Sequence, residues 1–506
     1  MVKTTTLVVT GLIFIGLGAF IGWYGFPKML HSKITQAKNL KKGTENRKNW
    51  AKFPLALDFK IYIYNVTNPD EVHVGKKAIV QQVGPFFYRE WKSKANLVDD
   101  PEADTITYNM VNTWYFDEEE SKPLTGDEVL VIPNILILTF ATLTMQTKPG
   151  ALNMINKAIP QLFGNPKNIF MTTTAKEFLF EGVLINCTQS KEFAVNTVCD
   201  QIRAKPAGLE VIDNDYFKFS IFGTKNNTPD ENSLTVKRGI VDIQDVGKVV
   251  LYNGKPEMEF WSGPKCNEIK GTDTTIFPPF MDTKDVWNFG AEICRSLAAK
   301  YVGPTVFKGI HGYHYTADLG DMSTDPNLKC FCPTNDTCLK KGAFDVTKCT
   351  GAPLVLTLPH CYGCHVDYMN GVTGMNPSEE LHGIYSTFEP ITGTPVAGKR
   401  RLQFNMFVQQ IKKITVMKEL APEPFLMPLL WVDEGLELND TLARTVRNAL
   451  YRPIRIVKYG RYILIGFGLF FIVMGVIVFY RKTKLNPDGS VTDDNKTTIT
   501  QVSPAY

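Results

Sequence analysis

The sequence lacks the short motifs of the common catalytic sites. It contains no G-x-S-x-G, no H-E-x-x-H and no phosphate-binding G-x-x-x-x-G-K-[ST] sequence. It also lacks an excess of charge of one sign, since 55 basic and 51 acidic residues leave a net charge of +4 over 506 residues. These absences argue against a metalloprotease, a hydrolase or an NTPase, and against a nucleic-acid partner. We therefore expect a protein that is not an enzyme and that needs neither a cofactor nor a metal.

Long uncharged apolar runs occur in two places, near the two ends of the chain. Residues 7–26 and 462–480 contain no charged side chain. As helices, they would extend roughly 30 and 28 Å, about the thickness of the hydrocarbon core of a bilayer. We predict two transmembrane helices that separate an N-terminus (1–6), an extracellular domain (27–461) and a tail (481–506). No A-x-A-like cleavage site follows the first run, which favours an anchor over a cleaved signal peptide.

Basic residues predict the orientation of the two helices. Lys3 precedes the first apolar run, and Arg481-Lys-Thr-Lys484 follows the second. Because lysine and arginine favour the cytoplasmic side, both termini are expected in the cytoplasm of a plasma-membrane protein. The tail contains no cysteine, which excludes its palmitoylation.

The region between the runs has the features of a secreted domain. It contains all ten cysteines, six of them within 266–349, so we expect disulfides formed in an oxidising compartment. Cys330 and Cys332 should point to the same side of an extended segment and therefore pair elsewhere, and Cys332 to Cys338 would enclose a small turn-rich loop. Five acceptor sequons predict N-glycosylation at Asn65, Asn186, Asn226, Asn335 and Asn439.

Strand patterns dominate this region. Runs rich in aromatic and β-branched residues predict strands at 59–64, 105–110, 216–222, 354–358 and 402–408. Helical periodicity is found at 150–163, which contains Pro160, at 169–184 and, most clearly, at 285–302. The mixture indicates a mainly antiparallel β domain with a helical cluster near 150–184.

Two short motifs have more than one interpretation. His360-Cys361-Tyr-Gly-Cys364-His365 resembles a zinc or redox element, but structural disulfides are the favoured interpretation, ahead of free thiols and metal binding. Gly18-Ala-Phe-Ile-Gly22 is a G-x-x-x-G sequence, which indicates either a helix-packing face or only the general frequency of glycine in membrane helices.

A series of segments, in order along nearly the whole chain, resembles the class B scavenger receptor family. This family includes the fatty acid translocase, the high-density lipoprotein receptor, the lysosomal integral membrane protein and the insect sensory neuron membrane proteins. The similar segments are 50–54, 59–69, 84–89, 261–266, 271–280, 293–296, 330–332, 358–360, 376–380 and 388–393. The lysosomal member's tail signal and the translocase's terminal cysteines are missing, so the chain most resembles the insect subgroup.

The resemblance implies a β-barrel-like ectodomain with a membrane-distal helical bundle and an apolar tunnel that leads toward the bilayer. It also implies three disulfides, Cys266–Cys330, Cys294–Cys349 and Cys332–Cys338, and a Cys361–Cys364 bond is an additional local possibility. The ligand-capturing apex of the family corresponds to about 150–185, where the basic candidates are Lys157, Lys167 and Lys176.

The function expected from the resemblance is non-enzymatic transfer of hydrophobic ligands. Fatty-acid-derived molecules or pheromones would be captured and passed through the tunnel to the membrane or to a neighbouring receptor. In olfactory neurons, the partners would be an odorant receptor complex and soluble odorant-binding proteins. The alternative is a scavenger receptor for general lipid uptake or for particle binding at the apex.

Overall fold

The computed structural model describes residues 4–204, 208–334 and 337–485. The chain divides into two compact units. One unit consists of the two ends of the chain, up to Lys33 and from Arg444 onward, and the other is Ile34–Ala443.

Two long apolar helices form the first unit. The candidate membrane spans are Thr4–Lys38 and Asp440–Lys484, both longer than the predicted apolar runs. The first comprises α1 (Thr4–Ala19), a π-helical segment (Phe20–Gly25) and α2 (Phe26–Lys38). The second comprises α13 (Asp440–Val446), a π-helical segment (Arg447–Tyr451) and α14 (Arg452–Leu485).

Helices α1 and α14 pack against each other through glycines. A Cβ atom added to Gly18 would lie 3.1 Å from the carbonyl oxygen of Arg461, and one added to Gly22 would lie 2.4 Å from the Arg461 side chain. At the other end of the pair, Gly475 faces Val8. The helices are therefore antiparallel, and Gly18 and Gly22 belong to a real packing face.

The second unit is built around one large sheet of 14 strands. Its main path runs in the order β10-β9-β3-β2-β1-β19-β18-β17-β13-β12-β11, and every neighbouring pair on that path is antiparallel. The strands of the unit are β1 Leu57–Val66, β2 Ala78–Asp100, β3 Thr105–Phe116, β4 Val129–Pro133, β5 Phe170–Thr174, β6 Val183–Asn186, β7 Leu209–Val211, β8 Tyr216–Phe219, β9 Thr228–Lys237, β10 Val249–Tyr252, β11 Val286–Gly290, β12 Arg295–Phe307, β13 Ile310–Ala317, β14 Phe344–Asp345, β15 Leu354–Thr357, β16 Val372–Thr373, β17 Ile384–Glu389, β18 Thr394–Val408 and β19 Phe425–Glu437.

A short segment at Gly271–Thr272 joins the two edges of this sheet. The amide of Val249 in β10 donates to the Gly271 carbonyl, and the amide of Phe289 in β11 donates to the Thr272 carbonyl, both at 2.9 Å. The edge strands β10 and β11 are thus bridged, and the sheet becomes a nearly closed barrel. The predicted barrel-like antiparallel fold between two terminal apolar helices is confirmed.

The remaining helices of the unit are short. They are α3 Glu45–Ala51, α4 Pro69–His73, α5 Glu118–Ser121, α6 Ile135–Thr147, α7 Leu152–Leu162, α8 Phe193–Ala204, α9 Pro264–Asn267, α10 Thr347–Thr350, α11 Val366–Asn370 and α12 Glu379–His382. Of these, α6, α7 and α8 form a helical subdomain together with the small sheet β6-β8-β7. Pro160 lies inside α7, near its end.

Two predicted helices are wrong. The segment 169–184 contains β5, a π-helical turn at Glu177–Glu181 and the start of β6, because its β-branched threonines pair with β4. The segment 285–302 is a hairpin, in which Val286 pairs with Ala299 and Gly290 with Arg295. Cys294 has the left-handed backbone (φ 47°), which a continuous α-helix does not permit.

Five disulfides join all ten cysteines. Three of them, Cys266–Cys330, Cys294–Cys349 and Cys332–Cys338, are the pairs that the family resemblance implies. The other two are Cys187–Cys199 and Cys361–Cys364. Cys187–Cys199 links the residue after β6 to α8 within the helical subdomain.

Candidate functional site

The three apex lysines lie in or beside the helical subdomain, in different environments. Lys157 is exposed on α7, and Lys167 is exposed in the connection between α7 and β5. Lys176, by contrast, forms an ion pair with Asp127 at 2.5 Å. The hydrogen bond and the negative charge of Asp127 raise the pKa of Lys176. The same carboxylate offsets the positive charge of Lys176 locally. Of the three lysines predicted for the apex, Lys157 and Lys167 are thus exposed, whereas Lys176 is paired, and their role at an apex stays a prediction.

The inner face of the barrel carries an aromatic wall close to the helical subdomain. Phe59 on β1 and Trp114 on β3 have ring centroids 5.7 Å apart, and Tyr88 on β2 is 4.6 Å from Phe180 of the π-helical turn. Phe222 contacts Phe59, Trp114 and Phe180 at 5.5–5.6 Å. Because side chains alternate along a strand, the residues two positions further along β2 face the same side as Tyr88.

Glu90 and Lys92 occupy those positions of β2. Together with Glu292, Arg400 and Glu434 they form what we call the inner charged cluster. Lys92 Nζ lies 2.7 Å from Glu434 Oε1 and 3.6 Å from Glu90 Oε1. Arg400 Nη2 lies 2.7 Å from Glu434 Oε2 and 3.6 Å from Glu292 Oε1. Glu292 lies in the turn between β11 and β12, and it reaches Arg400 although two strands, β17 and β13, separate β12 from β18 in the sheet order. The contact therefore joins parts of the barrel that are not neighbours in the sheet.

The cluster perturbs its own carboxyl groups in opposite directions. Burial opposes ionisation of Glu434, but Arg400 and Lys92 outweigh it and lower the pKa of Glu434 to about 2. For Glu90, burial dominates and raises the pKa to about 8. Lys92 and Arg400 keep their charges, since the carboxylates raise the pKa of both. The surroundings therefore favour the ionised form of Glu434 and disfavour the ionised form of Glu90.

A second buried ion pair lies further along β2, near the closure of the barrel. Lys94 Nζ donates to the carbonyl of Trp50 and to Thr275 Oγ1, both at 3.0 Å, and lies 3.8 Å from Asp273 Oδ2. Tyr108 donates to the same carboxylate at 2.6 Å. Burial lowers the pKa of Lys94 to about 8, although Asp273 opposes this effect.

The opposite face of the sheet holds a histidine pair. His360 and His382 are buried and stacked with ring centroids 4.5 Å apart. His360 Nδ1 accepts from the amide of Asn376, so its Nε2–H donates to Gln82 Oε1 at 2.6 Å. His382 Nδ1 accepts from the amide of Ser378 at 2.9 Å. Both rings are therefore held in neutral form, and burial lowers the pKa of each to about 4.

The Cys-His motif is divided between different roles. Cys361 and Cys364 are bonded to each other, His360 belongs to the buried pair, and His365 is half-buried and accepts from the amide of Asp367. Within the described ranges, the structure contains no group of three or more His, Cys, Asp or Glu side chains arranged to hold a metal ion.

Two cavities of different size lie in the ectodomain unit. The smaller, about 10 Å³, has room for about one water molecule and lies between the helical subdomain and β5. The larger, about 260 Å³, is bordered by α6, by Asp345 and Thr347, and by Phe407. Neither of these two is an apolar channel through the barrel, so the tunnel stays a prediction.

The predicted glycosylation sites differ in their surroundings. Asn439 is exposed, Asn65 and Asn186 are half-buried, and Asn335 lies outside the described residues. Asn226 is also half-buried, and both ends of its amide contact the backbone of Trp114. Glycosylation at these positions stays a prediction.

Sequence reasoning missed the inner charged cluster. Alternation along β2 could have shown that Tyr88, Glu90 and Lys92 share a face. It could not show that this face is the interior, because the partners Arg400 and Glu434 are about 300 residues away in the chain.

Comparison with known proteins agrees with this architecture. Residues 9–479 match the CD36 family, so the chain belongs to that family, the class B scavenger receptors. It is a membrane protein with two terminal spans, in a family of receptors rather than enzymes.

Insect proteins that share one name are among its relatives. The chain is 42% identical over 485 residues to "Sensory neuron membrane protein 1" of Manduca sexta, covering 94% of this chain and 92% of that protein. It is 40% identical over 503 residues to the protein of the same name from Apis mellifera (99% and 94%). For Pediculus humanus subsp. corporis the identity is 40% over 496 residues (96% and 95%).

Proposed function

We propose that this receptor captures fatty-acid-derived ligands without chemical change and passes them through its barrel to the membrane or to a neighbouring receptor. The process proposed is pheromone detection by olfactory neurons, with an odorant receptor complex and soluble odorant-binding proteins as partners. The observation that carries the proposal is the similarity to sensory neuron membrane proteins along nearly the whole chain.

The physical basis is the cost of exposing an alkyl chain to water, about 0.8 kcal/mol per CH₂ group. An interior path between aromatic side chains lowers that cost along its whole length. The wall of Phe59, Tyr88, Trp114, Phe180 and Phe222 supplies such a surface on the inner face of the barrel.

A plasma-membrane location with both termini in the cytoplasm is part of the proposal. The antiparallel packing of α1 and α14 supports it, because the N-terminal end of the first helix lies beside the C-terminal part of the second. The basic residues after Tyr480 favour the cytoplasm for that end.

The test is transfer of a fluorescent long-chain lipid into cells that express the full chain. Leu402→Trp places a bulky group on the inner face, since Leu402 is buried and pairs with Val432 beside the Arg400–Glu434 pair. Val306→Trp, at an exposed position of β12, is the control. We expect loss of transfer in L402W alone, at equal amounts of surface protein. Unchanged transfer in correctly folded L402W would refute passage through the barrel.

The second candidate is a scavenger receptor that binds particles at the apex, and the exposed Lys157 and Lys167 favour it. Neutralising both with glutamine should then abolish binding of anionic liposomes, whereas Lys176→Gln, at the position paired with Asp127, should have a smaller effect. Equal binding by all these variants would refute the apex role.

A further inference from the structure

A belt of exposed aromatic side chains marks the level at which the two spans leave the hydrocarbon core on the ectodomain side. Trp23 and Tyr24 belong to the first span, and Tyr459 and Tyr462 belong to the second. Arg461 joins the spans at this level, because its guanidinium lies 4.7 Å from the ring centroids of both Trp23 and Tyr462. Aromatic and basic side chains at this depth are the usual anchors of a membrane helix, so the bilayer itself accounts for them.

Further from the bilayer, the second span continues as a helix with exposed cations for which the bilayer does not account. Arg444, Arg452 and Arg455 precede the apolar run at 462 and would lie about 27, 15 and 10 Å beyond it along the helix. The headgroup layer of a bilayer is only about 5–8 Å thick. Arg444 and Arg452 therefore lie beyond the phosphates, and Arg455 lies at their outer limit.

A π-helical turn aligns these arginines on one face of the helix. The π-helical segment of the second span lies between Arg444 and Arg452, and such a turn holds one residue more than an α-helical turn. The advance from Arg444 to Arg452 is therefore about two full turns, and Tyr459 lies about two turns further on. Arg455 and Ile456 flank this line, and all five side chains are exposed. We call this face the basic row.

The three arginines of the basic row have no carboxylate partner among the described residues. The sequence contains no Asp or Glu from 441 to 485, and none from 1 to 44. Asp440, the last acidic residue before the row, pairs with Lys308 at 3.1 Å. Like charges three or four residues apart destabilise a helix, so a row without counter-charge is unfavourable in the isolated chain. Its charge is available to a partner.

We propose that the basic row binds an acidic, membrane-proximal segment of another protein that spans the same membrane. The arginines are complementary to Asp and Glu side chains, and Ile456 and Tyr459, which are 62% and 63% exposed, offer apolar contact between the cations. A second copy of this chain is a poor partner, because its own row has the same charge. A spanning partner fits because the row rises directly from the apolar run. The proposal rests on the proposed function, which supplies a neighbouring receptor in the membrane.

The test uses the full chain in phosphatidylcholine nanodiscs, with a fluorescent protein fused to its C-terminus. The probe is a designed single-span peptide with a short run of glutamates next to its apolar helix and a dye at its opposite end. A second peptide has glutamines in place of the glutamates, and a third has lysines. Energy transfer measures the side-by-side association of each peptide with the protein.

Three variants are compared with the wild type. R444Q/R452Q/R455Q neutralises the basic row, and R444E/R452E/R455E reverses its charge. The control, K300Q/K412Q/K413Q, neutralises the same number of exposed cations elsewhere in the ectodomain. Thermal unfolding establishes that each variant is folded.

We expect the wild type and the control to bind the glutamate peptide about tenfold more tightly than the glutamine peptide, which is the effect of several exposed ion pairs. This preference should vanish in the neutralised variant and shrink in about 1 M salt, where charges are screened within about 3 Å. The charge-reversed variant should prefer the lysine peptide. No preference in the wild type, or a preference that survives neutralisation, overturns the proposal.

Lipid headgroups are the other anionic chemistry near the row, and nanodiscs with labelled phosphatidylserine distinguish them. If neutralisation removes contact with this lipid while the wild type does not prefer the glutamate peptide, the row binds lipid and the proposal fails. The peptide assay needs no lipid cargo. Its failure therefore leaves lipid transfer standing, and failure of the L402W test leaves the peptide preference standing.

Discussion

Gly11 and Gly468 face each other across the two membrane helices, so closely that a Cβ atom added to Gly11 would lie 2.6 Å from the carbonyl oxygen of Gly468. A Cβ atom added to Gly468 would in turn lie 2.5 Å from the side chain of Ile15. Association of helices in a membrane depends on this kind of close backbone approach, because lipid supplies no hydrophobic driving force between them.

Gly468→Leu is therefore expected to separate the two spans. Fluorescent proteins fused to the two ends of the chain should show strong energy transfer in the wild type and weak transfer in this variant, with a loss of pairing free energy of about 1 kcal/mol or more. Gly466→Leu is the matched control, since nothing lies within 4 Å of a Cβ atom at that position. Equal energy transfer in G468L and G466L would contradict the packing.

Gly271→Ala is expected to open the barrel. Gly271 has a φ of +86°, and a Cβ atom there would lie 1.9 Å from the carbonyl oxygen of Trp287. Gly254 provides the control, because its φ of +75° is similar but its surroundings are open. The alanine at 254 should cost about 1 kcal/mol of backbone strain, whereas the alanine at 271 should cost several times more.

The measurement is the thermal unfolding midpoint of purified protein, together with the amount that reaches the cell surface. We expect G254A to remain close to wild type and G271A to be retained or to unfold at a much lower temperature. Similar midpoints for the two variants would show that the bridge between β10 and β11 is unimportant.

Asn226→Gln should destabilise the ectodomain whether or not a glycan is attached. The Asn226 side chain accepts from the amide of Trp114 at 2.9 Å and donates to its carbonyl at 3.4 Å, and loss of both contacts should cost about 2 kcal/mol. Thr228→Ala removes the same sequon and keeps the asparagine. Chemical denaturation of the two variants separates the effects, because a shift of equal size in T228A would attribute the loss to the glycan.

Mild acid should weaken the fold through the histidine pair. Both rings have a pKa lowered from about 6.5 to about 4, so the unfolded chain binds more protons than the folded chain between these values. Stability is therefore fully present above pH 6.5 and is lost as the pH falls toward 4. His382→Asn should remove part of this dependence. Unfolding midpoints measured from pH 7 to pH 4 test it, and identical slopes in variant and wild type would refute it.

The local patterns of the chain identify many elements but not their partners. Segments such as 59–64 and 402–408 are strands because alternating aromatic and β-branched residues suit a half-buried sheet. The hairpin of β11 and β12 has an apolar spacing that fits a helix as well as a strand, and the deciding contacts are with Gly271–Thr272 and the Cys349 disulfide. The disulfides Cys266–Cys330, Cys294–Cys349 and Cys332–Cys338 follow from family resemblance, not from spacing.

The candidate site is harder to predict than the fold. The lysines of the apex stand out as isolated basic residues, but the ion pair of Lys176 with Asp127 joins residues 49 positions apart. Glu90 and Lys92 resemble ordinary surface residues of a strand, and only the placement of Glu434 and Arg400 opposite them shows that they are interior.

The pairing of β1 with β19 determines when the protein can complete its fold during synthesis. Phe59 of β1 is paired directly with Glu434 of β19 in the antiparallel sheet, although 375 residues separate them in the chain. Until the last strand has been translocated, the edge of β1 that β19 will occupy has open backbone groups, and Lys92 and Arg400 lack Glu434, the carboxylate that lies nearest to each of them. A chain that stops before residue 425 would therefore expose an unpaired strand edge to the quality-control machinery of the secretory pathway, and we expect it to be degraded rather than exported.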